Sequence, residues 1–113
     1  MNALGPDGEA AMALIAARAL RRNQDRAARL AGLIAGGIDE DDGATREEAI
    51  TLAHQIAGSA GTFGHEAASD IARIVMTSLS QGLDPSSVEG LVAQVGALLD
   101  APIDAPSELG DRQ

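Results

Sequence analysis

The chain contains no cysteine. Nucleophilic nitrogen or sulfur chemistry near neutral pH therefore falls to its two histidines, His54 and His65. At roughly 100° per residue, Ala49, Ile50, Leu52, Ala53, Ile56, Ala57 and Ala60 cover one broad side of a helix. His54 falls about 120° from the centre of that side, on the shoulder of the polar face with Glu47, Thr51 and Gly58. Its imidazole is expected to face solvent. Gly58 stands one turn further along the same face. A glycine inside a helix costs roughly 1 kcal/mol relative to alanine, so its use in an alanine-rich helix asks for a reason. Access is one: a partner surface can approach the His54 ring over a position that has no side chain. Thr51 and Gln55 flank this opening, and Ser59, Ala60, Gly61 and Gly64 are expected to extend it.

Other polar groups read as structural. His65 opens the next helical segment, and pairing it with Glu66 or Asp70 gives no common metal-ligand spacing, so no metal site is expected. Asp39-Glu40-Asp41-Asp42 lacks the alternating ligands and closing glutamate of a calcium loop and reads as solvated. Arg18, Arg22, Arg26 and Arg29 share one face of the first helix. That face reads as solvated, with Arg22 and Arg26 as candidates for docking an acidic partner.

Four amphipathic segments must position these groups. The first follows Gly5-Pro6, with Asp7 as its cap, and runs to about Ala35, ending at Gly36-Gly37. Its apolar stripe is Leu20, Ala27, Leu30, Ala31 and Ile34, and Asn23-Gln24-Asp25 is its least helical stretch, the place for a bend. The second opens on Thr45-Arg46-Glu47-Glu48, a capping box with Thr45 as cap, and breaks at Gly61-Thr62-Phe63-Gly64. The third spans about His65 to Ser80. The fourth starts at Asp84-Pro85, a cap followed by proline at the first helical position, and carries Val88, Leu91, Val92, Val95, Leu98 and Leu99 on one face. Short connections make neighbours antiparallel. The expected fold is all-α, an up-down four-helix bundle over residues 8–100, with an extension at 1–7 and a disordered acidic tail at 101–113. Ile56, Phe63, Ile71, Val75, Val92 and Val95 are assigned to the core.

Composition supports helices and narrows function. The chain has 113 residues, room for one domain. Apolar residues make up 45%, and 23 of them are alanine, the strongest helix former. Eight basic against 17 acidic residues give a net charge of −9, which disfavours binding to a phosphate backbone. One phenylalanine and no tryptophan or tyrosine leave no stacking platform for bases. No apolar run approaches a membrane span, and the first residues lack a basic leader segment, so no membrane partner and a cytoplasmic location are expected.

The string from Ala53 to Gly64, AHQIAGSAGTFG, resembles the signature of histidine-containing phosphotransfer (HPt) domains. His54, Ile56, Gly58, Ser59, Ala60, Phe63 and Gly64 match it. The resemblance is specific over about residues 47–79 and consistent over roughly 8–100. It departs at two positions: Ala57 stands where most members carry lysine, and Met76 where several carry a glutamine that bonds the histidine. The resemblance implies a four-helix bundle whose His54 accepts a phosphoryl group, at Nε2, from a receiver aspartate and passes it to another receiver. It implies response-regulator receiver domains, and a hybrid histidine kinase, as partners. It implies no cofactor of the chain's own, the receiver supplying Mg²⁺, and no stand-alone catalytic machinery. The alternative is a helical adaptor that binds a receiver or kinase without accepting phosphate.

Overall fold

The computed structural model describes residues 5–38 and 42–101. It contains α1 (Gly5–Ala35), α2 (Gly43–Thr62), α3 (Glu66–Ser80), a 3-10 turn (Pro85–Val88) and α4 (Glu89–Asp100). Among the described residues there is no strand, and no helix is long and apolar enough to cross a membrane.

The four helices are joined sideways into a closed ring, each packing on its neighbours in chain order and α4 returning to α1. Cross-links fix their directions. Asn23 and Arg29 of α1 reach Ser59 and Glu48 of α2. Ser69 and Leu79 of α3 meet Ala57 and Arg46 of α2. Gln24 of α1 reaches Asp100 at the end of α4, while Ile34 and Ala35 lie beside Glu89 at its start. Rising numbers on one helix meet falling numbers on the next in each case, so these neighbours run antiparallel. The core is small-residue and aliphatic: Leu30, Ala53, Ile56, Ala72, Val75, Leu79, Val95 and Leu99 are essentially sealed from solvent.

Several expectations need correction. α1 begins at Gly5, so Asp7 lies inside the helix and is not its cap; Pro6 is tolerated because first-turn N–H groups have no intrahelical partner. α1 also runs through Asn23-Gln24-Asp25 without a break. Asn23 is 1% exposed, and its amide donates to Ser59 Oγ (3.1 Å) while its Oδ1 accepts from Arg26 Nη1 (2.9 Å). A buried amide bonded on both sides does not compete with the helix backbone. Asp42, not Thr45, caps α2: its carboxylate accepts from Thr45 N (3.0 Å) and Thr45 Oγ1 (2.5 Å). These bonds hold the Asp42 carboxyl below the ordinary carboxylate range. Glu48, the presumed partner of a Thr45 cap, instead pairs with Arg29 (2.6 Å). Asp84 caps a 3-10 turn before α4 proper begins at Glu89. Phe63 and Ile71 are only half-buried, whereas Ile56, Val75, Val92 and Val95 are core as expected. Phe63 closes the end of α2 and borders an apolar hollow against α1. The remaining acidic loop residues 39–41 and the tail beyond Ala101 lie outside the described residues.

Candidate functional site: the His54 face of α2

The middle of α2 buries Ala53, Ile56, Ala57 and Ala60. That burial fixes the rotation of the helix, because residues three and four apart share a face. His54, Thr51, Gln55 and Gly58 are consequently all exposed. A Cβ built at Gly58 meets nothing within 4 Å, so the surface one turn from the His54 ring is open, as its position on the wheel predicts.

His54 also lines a shallow hollow of about 460 Å³ between α2 and α3, with Ile50, Thr51, Met76, Thr77, Ser80 and Gln81. Met76 thus stands beside His54, and the walls hold no formal charge. Thr51, Thr77, Ser80 and Gln81 supply neutral hydroxyl and amide groups, each able to donate or accept. Arg46 lies two turns before His54 on the same ridge of α2. Its Nη1 donates to the carbonyls of Leu79, in the last turn of α3, and of Leu83, just beyond it (both 3.1 Å). The hollow therefore presents one basic nitrogen heterocycle, polar neutral walls and free approach. An exposed imidazole offers a ring nitrogen as nucleophile toward a group brought by a partner.

The rest of the expected open patch turns inward. Gly61 packs against α3: a Cβ there would come within 3.1 Å of Ser69 Oγ. Gly61 is a contact glycine between helices, not an access glycine. Ser59 is bonded to Asn23, and Ala60 is 1% exposed. The helix simply carries these positions round to its buried side. Gly64, at φ +100, makes the turn into α3.

His65 is buried at 5% exposure and caps α3 without a side-chain bond to it. Its Nε2 lies 3.3 Å from the Ala101 carbonyl; a carbonyl only accepts, so Nε2 carries the proton in that contact. His54 and His65 are not brought together in one site. Arg22 is exposed, Arg26 is held by Asn23, and neither lines the His54 hollow. Ala57, where the resembled family places lysine, is 6% exposed, and its carbonyl accepts from Ser69 Oγ at 2.6 Å.

Sequence reading missed Thr77, Ser80 and Gln81; Ser80 follows Met76 by four residues and Gln81 follows Thr77 by four, so the pairs lie on two neighbouring ridges at the end of α3. It also missed the Arg46 cap. Asn23 could have been found, since it falls in line with Ala27 and Leu30, four and seven residues on.

Among comparisons with known proteins, the family model described as Hpt domain matches residues 12–104. No curated protein and no solved structure matches the chain. Hpt domains are helical bundles that serve histidine phosphotransfer in phosphorelays and interact with receiver and kinase domains. With most of its length matched, and with an all-helical fold, the chain belongs to the Hpt domain family.

Proposed function

We propose that His54 is the phosphoryl carrier of this domain, accepting from the aspartyl phosphate of one receiver domain and donating to the aspartate of another. The observation that carries this reading is the exposed His54 ring beside the open Gly58 surface. In the forward step the Nε2 lone pair attacks phosphorus. The N–P bond forms as the P–O bond to the aspartate breaks, the carboxylate leaves, and the Nδ1 proton is released to solvent. Donation to the second aspartate reverses the bond changes. Phosphoryl transfer of this kind depends on positioning and charge neutralisation more than on covalent help from the protein. The neutral walls around His54 contribute hydrogen bonds but no cation, so the receiver's Mg²⁺ and acidic pocket supply the electrostatics. Docking uses Thr51, Gln55 and Gly58 on α2, while Gly61 is absorbed by packing.

The test is transfer from a phosphorylated receiver to the wild-type chain and to His54→Gln. Acid-labile, alkali-stable label on the wild type alone is the expected result. No label on folded wild type from several competent receivers would discard the carrier. An adaptor that binds without phosphate would tolerate His54→Gln in a signalling assay; a carrier does not.

A further inference from the structure

A side chain on a helix lies over the turn that precedes its own Cα. The His54 ring therefore leans back over Ile50 and Thr51, into the hollow of about 460 Å³ that α2 shares with the end of α3. That volume is ample for the four heavy atoms of a phosphoryl group, a water taking about 30 Å³ in the liquid. Across the hollow stand Thr77, Ser80 and Gln81. Spacings of three and four residues put Thr77 on one patch with both of the others. All three are exposed, and among the described residues none of their side chains is engaged in a hydrogen bond or ion pair. Hydroxyls elsewhere are used by the fold: those of Thr45, Thr62, Ser69 and Ser87 each donate to an oxygen of the chain. The donors across from His54 have no such duty.

The C-terminal end of a helix carries a partial negative charge, which repels an anion. At the end of α3 that charge is covered. The Thr77 carbonyl accepts from Gln81 N (3.0 Å), the Ser78 carbonyl from Leu83 N (3.1 Å) and the Leu79 carbonyl from Gly82 N (3.1 Å). Arg46 adds its guanidinium on the Leu79 carbonyl (3.1 Å). An anion on His54 thus meets side-chain donors, and the positive charge of Arg46 offsets the carbonyls of the helix end.

We propose that the α3 wall of the hollow is a phosphoryl-binding subsite, in which Thr77, Ser80 and Gln81 donate hydrogen bonds to the oxygens of the group carried by His54. None of the three is Ala57 or Met76, the two positions at which the chain departs from its family's pattern. The bonds are charge-assisted, and they run from α3 to a group attached to α2. They exist only in the folded, phosphorylated chain, so phosphorylation tightens the α2–α3 pair. The inference rests on His54 as the phosphorylated residue and adds what holds the group there.

The experiment phosphorylates the full chain with phosphoramidate, which needs no receiver. The N–P bond of the reagent breaks, ammonia leaves, and the phosphoryl group joins a nitrogen of His54. Urea unfolding at mildly alkaline pH is then compared for the phosphorylated and unmodified forms. The wild-type midpoint is expected to rise by about 0.5 M on phosphorylation. His54→Gln takes no label and shows no rise. In Thr77→Val with Ser80→Ala the unmodified midpoint stays near that of the wild type, as for most exposed substitutions, and the rise disappears. Gln81→Leu alone lessens it. Comparing each variant with itself cancels any effect of the substitution on the fold. Amide exchange gives a second reading: the last turn of α3 gains protection when His54 is phosphorylated. A midpoint that phosphorylation leaves unchanged or lowers overturns the proposal. So does a rise that survives in the double variant, or a folded chain that phosphoramidate leaves unlabelled. A chain labelled by phosphoramidate but by no receiver, with the rise present, discards the carrier and keeps the subsite.

Discussion

Two stretches of the same helical hairpin, three residues apart in sequence, use the same pair of residue types in opposite ways. In the first, His54 is exposed and Gly58 opens onto empty space. In the second, Gly61 admits Ser69 and His65 is buried against the Ala101 carbonyl. The buried histidine has its Nε2 against a backbone carbonyl, while the one available for chemistry stands beside space left for another molecule. Residue type therefore says little about role here; the rotation of α2 around its buried alanines decides it.

The comparison can be broken most severely at the histidines. His54→Gln is expected to abolish acid-labile labelling and leave the thermal midpoint nearly unchanged, as for most exposed substitutions. His65→Ala is expected to do the reverse, costing about 2 kcal/mol in denaturant unfolding through lost packing and a lost hydrogen bond, with labelling retained at temperatures where it is folded. The glycines sharpen the contrast. Gly61→Leu forces a side chain into the Ser69 contact and costs about 2 kcal/mol. Gly58→Ala stabilises by up to about 1 kcal/mol, whereas Gly58→Gln keeps the fold but slows transfer roughly tenfold or more by crowding the approach to the ring.

A smaller effect is expected at Asn23→Ala, about 1–2 kcal/mol, because Ser59 and Arg26 lose their shared partner. The smallest effect concerns acid. The Thr45 bonds depress the Asp42 carboxyl in the folded chain. That contribution to stability is present above the ordinary carboxylate pKa of about 3.9 and disappears as pH falls through the lower folded value. Asp42→Asn should flatten this part of the acid limb of a stability-against-pH curve and change little at neutral pH.

The helices themselves were legible because their signals are local. Gly36-Gly37, Gly64, Gln81-Gly82 and Asp84-Pro85 punctuate the chain close to where the structure does. His54 and Gly58 were legible because one turn of helix fixes their shared exposure. Partnerships across helices were not. That Gly61 would meet Ser69, that Arg46 would close the end of α3, and that Asn23 would reach Ser59 all depend on how neighbouring helices slide along one another. The Thr45 misreading has the same kind of origin, since two residues three positions apart, Asp42 and Thr45, each carry a capping oxygen and only the chain path selects between them. Phe63, assigned to the core from sequence, sits at a helix end where burial is shared with solvent.

Arg46 has a consequence for the energetics of docking. The α2–α3 hairpin is tied at one end by its guanidinium on Leu79 and Leu83, and at the other by Ser69 on Ala57 and the His65 amide on Ala60. The walls of the His54 hollow are thereby held between two clamps. A receiver that settles there meets a surface already in its final shape and has little conformational entropy to remove from it. Amide protons along the middle of α2 and α3 should accordingly exchange slowly in the free protein and gain little further protection on binding.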